Sequence, residues 1–214
     1  MGDFLAGLDG RVGVNVMAYV GHCAIRRFVM GEAASERAAT DYEIGAMQQL
    51  LTHTTYRSLG LLLTMLFREP ALLRRICENR SLIADCVEEL VRLEHATSLV
   101  GRLCTRDTEL GGVSLSAGTV VLVSLAAANH DPARWDDPDR FDVDRPLIPN
   151  IAFGWGFHRC VGVHLARMEL RVAPEALLDR LPDLGPDPRV PLAAISGLMF
   201  RAPEHVRAIW TAAA

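Results

Sequence analysis

The chain has 214 residues, half of them hydrophobic, which is enough to bury a sizeable core in one domain or in a large part of a bigger domain. Its 22 basic and 26 acidic side chains give a net charge of −4, so the composition offers no electrostatic reason to expect a nucleic-acid partner. Small-molecule chemistry is therefore the better expectation.

No segment has the length or the flanking charges of a membrane span or a secretory signal. The longest strongly apolar stretch, residues 59–67, is less than half of the roughly 20 residues that a transmembrane helix needs. The start of the chain carries Asp3 and lacks the basic flank and apolar core of a signal peptide. We therefore expect a cytoplasmic protein without a membrane span.

The first half of the chain is predicted to be helical after a poorly readable amino-terminal segment. Residues 1–41 are rich in glycine and alanine and show only weak helical periodicity. Apolar residues at helical spacing then predict one long, mostly buried helix over residues 42–67, before Pro70. A short helix after Pro70 and another after Ser81, a suitable N-cap, are expected to follow.

Strand and loop patterns occupy the middle of the chain. Between residues 99 and 125, alternating β-branched residues punctuated by glycines predict a small antiparallel sheet. Residues 130–149 are rich in Asp, Pro and Arg, which is typical of an ordered meander, and residues 163–178 predict a helix. Short strand-like segments are expected around residues 197–200. The predicted fold class is therefore mainly α with a small antiparallel β-sheet (α+β).

Cys160 is the one cysteine whose surroundings indicate chemistry. The five cysteines are scattered and contain no C-x-x-C pair, which argues against a disulfide framework. Cys160 lies just before a predicted helix, where free backbone N–H groups and the helix dipole favour a thiolate. Gly154, Gly156 and Gly162 allow unusual backbone geometry and the close approach of a flat ligand. A thiolate in this setting is a good ligand for a haem iron.

Three other interpretations of Cys160 remain open from the residues alone. It could be a buried structural thiol, a zinc ligand together with His158 and His164, or a hydrolase nucleophile paired with a distant histidine. The zinc interpretation lacks a clear fourth ligand. The hydrolase interpretation does not explain the glycines.

The segment around Cys160 resembles the haem-binding signature of the cytochrome P450 family, F-x-x-G-x-x-x-C-x-G. All fixed positions of that signature are occupied, by Phe153, Gly156, Cys160 and Gly162. The resemblance implies that Cys160 is the axial ligand of a haem b iron. It also implies a cofactor-binding loop that contains Phe153, Gly154, Gly156 and Gly162. An axial thiolate favours O–O bond cleavage and so suits oxygen activation.

A second pair of motifs resembles the family's structural triad. Glu89 and Arg92 have the spacing of its E-x-x-R motif, and residues 138–141, Pro-Asp-Arg-Phe, resemble its P-E-R-F motif. The resemblance implies a triad of Glu89, Arg92 and Arg140, in which two guanidinium groups surround one carboxylate and fix the meander. From spacing alone, the Glu89–Arg92 pair could equally be a pair of solvated surface charges.

The resemblance also implies residues that contact the cofactor's propionates. Arg102, at the start of the predicted sheet, resembles an arginine that binds one haem propionate in bacterial members, and His158 resembles a second propionate ligand. A planar guanidinium suits a carboxylate. The alternative for Arg102 is a solvated charge at a strand end.

On the oxygen side, residues 50–55 align with the family motif (A/G)-G-x-(D/E)-T-(T/S). The motif's threonines are retained, whereas Leu51 replaces a glycine and His53 replaces the acid. The resemblance makes Thr54, His53 and Thr55 candidates for proton delivery to bound dioxygen. An imidazole can relay protons near neutral pH, but His53 could equally be a polar residue that faces other helices.

The resemblance extends over about residues 42–210, within a partial domain assigned to residues 42–214, and matches mainly the carboxyl-terminal half of a typical member. It implies a monooxygenase that inserts one oxygen atom from dioxygen into a small organic substrate. Electrons would come from a ferredoxin-type or other redox partner, with Arg159 as a docking residue or an ordinary surface charge. Because the family's amino-terminal half is not matched, impaired activity or a non-catalytic auxiliary role is the alternative expectation.

Overall fold

The structure, a computed structural model, describes Ala33 and residues 37–156, 159–181 and 183–211, except for the side chains of residues 45–53. The α-helices in these residues are α1 (Asp41–Arg68), α2 (Pro70–Glu78), α3 (Leu82–Leu93), α4 (Leu125–Asn129) and α5 (Val163–Arg180). The strands are β1 (Leu99–Leu103), β2 (Thr108–Leu110), β3 (Val113–Leu115), β4 (Val120–Ser124), β5 (Gly185–Pro186), β6 (Ile195–Ser196), β7 (Ala202–Pro203) and β8 (Ala208–Ile209).

Helix α1 begins with a reciprocal hydrogen-bonded cap. The Thr40 hydroxyl accepts a hydrogen bond from the Glu43 backbone N–H at 3.3 Å, and the Glu43 carboxylate accepts one from the Thr40 N–H at 2.8 Å. Arg37 donates to both oxygens of the same carboxylate, and this pairing is the main reason that the pKa of Glu43 falls to about 2. The helix ends at Arg68, so the predicted long helix is confirmed to within one residue at each end.

The core lies where the carboxyl-terminal half of α1 packs against α3 and α5. Apolar residues at intervals of three and four place one face of each helix in this core. Its fully buried side chains include Leu61, Leu62, Ile76, Val87, Leu90 and Leu170. Each such side chain contributes roughly 2 kcal/mol through burial, so these helices form the stable platform on which the loops rest.

The predicted antiparallel pairing between residues 99 and 125 is confirmed as two separate ladders. Strand β1 pairs with β4, with Leu99 opposite Ser124 and Leu103 opposite Val120. Strand β2 pairs with β3 in an exposed hairpin, whose turn residues Gly111 and Gly112 have φ angles of 57° and 80°. Glycine adopts this left-handed geometry without steric cost, which explains the Gly-Gly pair.

Two further short ladders lie near the carboxyl-terminal end of the described residues. Strand β5 pairs with β8, and β6 pairs with β7. The strand-like segments predicted around residues 197–200 are present: β6 and β7 flank this range, and Phe200 forms an isolated antiparallel bridge with Thr97. Gly197 has a φ of 105°, which interrupts an extended strand. No helix in the described part of the chain is both long and apolar enough to cross a membrane.

Candidate functional site

The loop before α5 folds back on itself and brings Cys160 next to Phe153. The Cys160 backbone N–H donates to the Phe153 carbonyl at 2.7 Å, and the Gly154 N–H donates to the Ile151 carbonyl at 2.8 Å. Gly154 and Gly156 have φ angles of 71° and 62°, values that favour glycine. The unusual backbone geometry predicted for these two glycines is present, and it allows the loop to fold back.

Cys160 lies just before α5, two residues before the cap residue Gly162 and three before the first helical residue, Val163. The Cys160 residue is exposed, but partial desolvation of its sulfur is the main influence on its pKa and raises it, while the Gly162 backbone N–H acts in the opposite direction. The predicted stabilisation of the thiolate by the helix start is thus present but outweighed. A metal cation bound at the sulfur would reverse this balance.

Cys160 places one exposed sulfur donor on the loop. No group of three or more His, Cys, Asp or Glu side chains could hold a metal ion among the residues that the structure describes. His164 is exposed on α5, and His158 lies outside the described residues. A Cβ atom at Gly162 would lie 3.9 Å from the Cys160 sulfur, an ordinary van der Waals distance, so glycine keeps a side chain from contacting the sulfur.

A buried ion pair on α3 supports the segment that leads into the loop. Arg92 donates to both carboxylate oxygens of Glu89 at 2.8 Å, so the predicted i, i+3 contact is present, and both side chains are buried. Arg92 also donates to the backbone carbonyls of Asn129 and Pro138 at 2.8 Å, and it stacks over the buried Trp135 ring at 5.1 Å. The pair therefore ties the meander to the helical core.

The prediction that Arg140 is the third member of this triad was wrong. The Arg140 side chain is exposed, and its nearest carboxylate is Asp142 at 3.7 Å; it contributes only its backbone carbonyl, which accepts from Arg92 at 3.2 Å. Arg145 takes the predicted place instead, because its Nε donates to Glu89 Oε1 at 3.2 Å. Its guanidinium also bonds to the carbonyls of Asp136, Asp137 and Arg140. A motif match could not show which of two nearby arginines turns inward.

A second carboxylate on α3 contacts the helix that follows the loop. Glu88 accepts hydrogen bonds from Arg167 Nε at 2.7 Å and from Arg167 Nη2 at 2.8 Å. The Arg167 guanidinium carbon lies 4.8 Å from the centre of the Phe153 ring. No local spacing relates residues that are 79 positions apart, so this contact could not be predicted from the sequence.

The remaining predicted site residues lie farther from these contacts or outside the described region. The Arg102 guanidinium is exposed on β1 and donates to the Gly101 carbonyl at 2.8 Å. On α1, Thr54 is exposed and Thr55 is half-buried. The His53 side chain is outside the described set, as is the whole of His158. Because α1 packs against α5, the helix that carries Thr54 and Thr55 and the helix that follows Cys160 are neighbours.

Comparisons with known proteins identify the family. The cytochrome P450 family model matches residues 62–185. Biflaviolin synthase CYP158A1 of Streptomyces coelicolor is 36% identical over 204 residues, which cover 94% of this chain and 48% of the relative. The mycinamicin IV hydroxylase/epoxidase of Micromonospora griseorubida is 37% identical over 183 residues, which cover 84% of this chain and 46% of the relative. The chain belongs to the cytochrome P450 family.

Solved structures agree with this assignment. Mycobacterium marinum cytochrome P450 CYP150A6 in its substrate-free form matches with a TM-score of 0.72 and 29% identity, covering 94% of this chain and 56% of that chain. P450BioI, solved with an acyl carrier protein ligated to hexadec-9Z-enoic acid, matches with a TM-score of 0.70 and 29% identity, covering 91% and 53%. The α+β fold class is confirmed. The chain spans about half the length of the curated relatives that it matches.

Proposed function

We propose that the chain binds haem b through the Cys160 thiolate and acts in a haem-thiolate monooxygenase, which inserts one oxygen atom from dioxygen into a small organic substrate. The observation that carries this proposal is the position of Cys160, a single soft ligand beside Gly162 on a loop held at Phe153. A bound haem would supply the iron at which dioxygen is activated, and a thiolate ligand from Cys160 would favour O–O cleavage.

We assign the polar residues around the loop by the chemistry that each can perform. Arg102 is exposed and charged, so its guanidinium can bind a haem propionate, and His158 is proposed for the second propionate. Thr54 and Thr55 are proposed to hold a proton at their hydroxyl oxygens on the oxygen side, and His53 to exchange one with solvent.

We propose that a ferredoxin-type redox partner approaches the surface beside the cysteine loop. A cavity of about 520 Å³ opens there, and its lining includes Arg159, the exposed Trp155 and the exposed Leu147. A basic side chain beside exposed apolar groups favours an acidic partner with an apolar centre.

The test is haem titration of the purified chain, followed by reduction and addition of carbon monoxide. We expect binding of one haem per chain and the strongly red-shifted Soret band of a thiolate-ligated carbon monoxide complex. Cys160→Ser should remove the shifted band, whereas Cys77→Ala, which changes an exposed cysteine on α2, should leave it intact. A shifted band that persists in Cys160→Ser would refute the ligand assignment. Failure to bind haem would favour the non-catalytic auxiliary role.

A further inference from the structure

We propose that Arg167 is a positioning residue, which fixes the cysteine loop by linking the Glu88 carboxylate on α3 to the Phe153 ring at the start of the loop. The consequence for a bound haem rests on the function proposed above. The consequence for the loop itself does not, because it concerns contacts among residues of this chain.

The link to α3 is a two-point, charge-assisted contact. The Arg167 Nε and Nη2 atoms donate to the two Glu88 oxygens at 2.7 and 2.8 Å, and the side chains are only 23% and 18% exposed. Two parallel hydrogen bonds fix the plane of a guanidinium as well as its position. Arg171 also reaches Glu88, but at 3.5 Å and from a more exposed position. Arg167 is therefore the arginine that Glu88 orients.

The link to the loop is a contact between the same Arg167 guanidinium and the Phe153 ring. With its edge bound to Glu88, its carbon lies 4.8 Å from the Phe153 ring centre, within the range of a cation–π contact. A lysine ammonium could replace the charge but has neither the second hydrogen bond nor the flat surface. The geometry of this position thus requires arginine.

Phe153 connects the guanidinium to the sulfur-bearing residue. Its carbonyl accepts the Cys160 N–H at 2.7 Å, so the residue whose ring lies beside Arg167 also holds the Cys160 backbone. The adjacent carboxylate on α3, Glu89, fixes the meander through Arg92 and Arg145. Glu89 therefore fixes the meander before the loop, and the preceding residue, Glu88, fixes helix α5 after it.

The first test measures hydrogen exchange of the Cys160 amide in the haem-free chain, because this amide reports the hydrogen bond to Phe153. We expect Arg167→Met to lower its protection about tenfold, the effect of losing a contact of this strength, and Arg167→Lys to produce most of that loss. Arg171→Met, the matched control one helical turn away, should change protection less than twofold. Equal effects of the two methionine variants would overturn the proposal.

Two further variants keep the test informative if Arg167→Met does not fold. Phe153→Leu retains the Glu88 contact and removes only the ring, so it should lower Cys160 protection as Arg167→Lys does. The exchange of the charges, Glu88→Arg with Arg167→Glu, restores an ion pair but places no guanidinium against Phe153. It should lower the protection of the Cys160 amide about as much as Arg167→Met does. Full protection in either variant would overturn the link through the ring.

The second test uses the haem-loaded chain and separates the two proposals. If the loop positions the sulfur, Arg167→Lys should convert part of the red-shifted carbon monoxide band to the shorter-wavelength band of a complex without a thiolate ligand, while Arg171→Met should not. Absence of the shifted band from the wild-type chain would refute the proposed function. A normal wild-type band that Arg167→Lys leaves unchanged would refute the role of Arg167 alone.

Discussion

The substitution of Arg145 by methionine tests most directly how the Glu89 network stabilises the fold. The Arg145 side chain is 10% exposed and donates to Glu89 and to three backbone carbonyls of the meander. A hydrogen bond to a charged group contributes about 1.5–3 kcal/mol, whereas the carbonyls can bond to water once the guanidinium is gone. Glu89 keeps its two bonds from Arg92. We therefore expect a loss of about 2–3 kcal/mol in the free energy of unfolding.

The matched control is Arg140→Met, which removes the arginine named by the sequence motif. That side chain is 64% exposed and lies 3.7 Å from Asp142, so its removal should cost less than about 0.5 kcal/mol. Urea unfolding of both variants, followed by circular dichroism at neutral pH, measures the difference. A cost for Arg140→Met that equals or exceeds that of Arg145→Met would refute our assignment. Arg145→Lys should lose more than half as much as Arg145→Met, because a lysine cannot form the same fork.

Two other predictions concern stability away from the loop. The buried His95 ring has no hydrogen-bond partner of good geometry among the described residues, and burial lowers its pKa from 6.5 to about 4. The unfolded chain therefore binds a proton first as the pH falls below about 6.5, and stability should drop by roughly 3 kcal/mol by pH 4. His95→Gln should flatten this part of the pH dependence in urea unfolding, and an unchanged slope would show that another group is responsible. At the β6–β7 turn, a Cβ atom added at Gly197 would lie 2.0 Å from the Phe200 carbonyl oxygen. A Cβ atom added at Gly118, which has a similar φ, would have no atom within 4 Å. Gly197→Ala should thus cost clearly more than the roughly 1 kcal/mol expected for Gly118→Ala, and thermal unfolding of the two variants should rank them in that order.

The sequence predicted those features that depend on local periodicity or on a dense motif. The long helix follows from apolar residues at helical spacing, and the unusual backbone angles at positions 154 and 156 follow from the glycines there. The i, i+3 contact between Glu89 and Arg92 is also local, so its spacing was sufficient.

Contacts between distant segments could not be predicted in the same way. Arg140 and Arg145 are both close in sequence to the meander's phenylalanine, and only the path of the backbone decides which guanidinium turns towards Glu89. The Glu88–Arg167 contact has no motif of its own. Around residues 197–200 the pattern indicated strands but not the turn at Gly197, because that turn depends on a backbone angle that an alternating pattern does not encode.

The neighbouring carboxylates of α3 also determine where the chain can tolerate a change of length. One inserted residue would rotate every later position of a helix by about 100°, so an insertion early in α3 would misdirect Glu88 and Glu89 together. The β2–β3 hairpin carries no comparable constraint, because its strands are mostly exposed and a Cβ at Gly111 or Gly112 would meet open space. A reporter peptide placed in that hairpin should leave the cysteine loop in register, whereas the same peptide in α3 would separate the loop from its support.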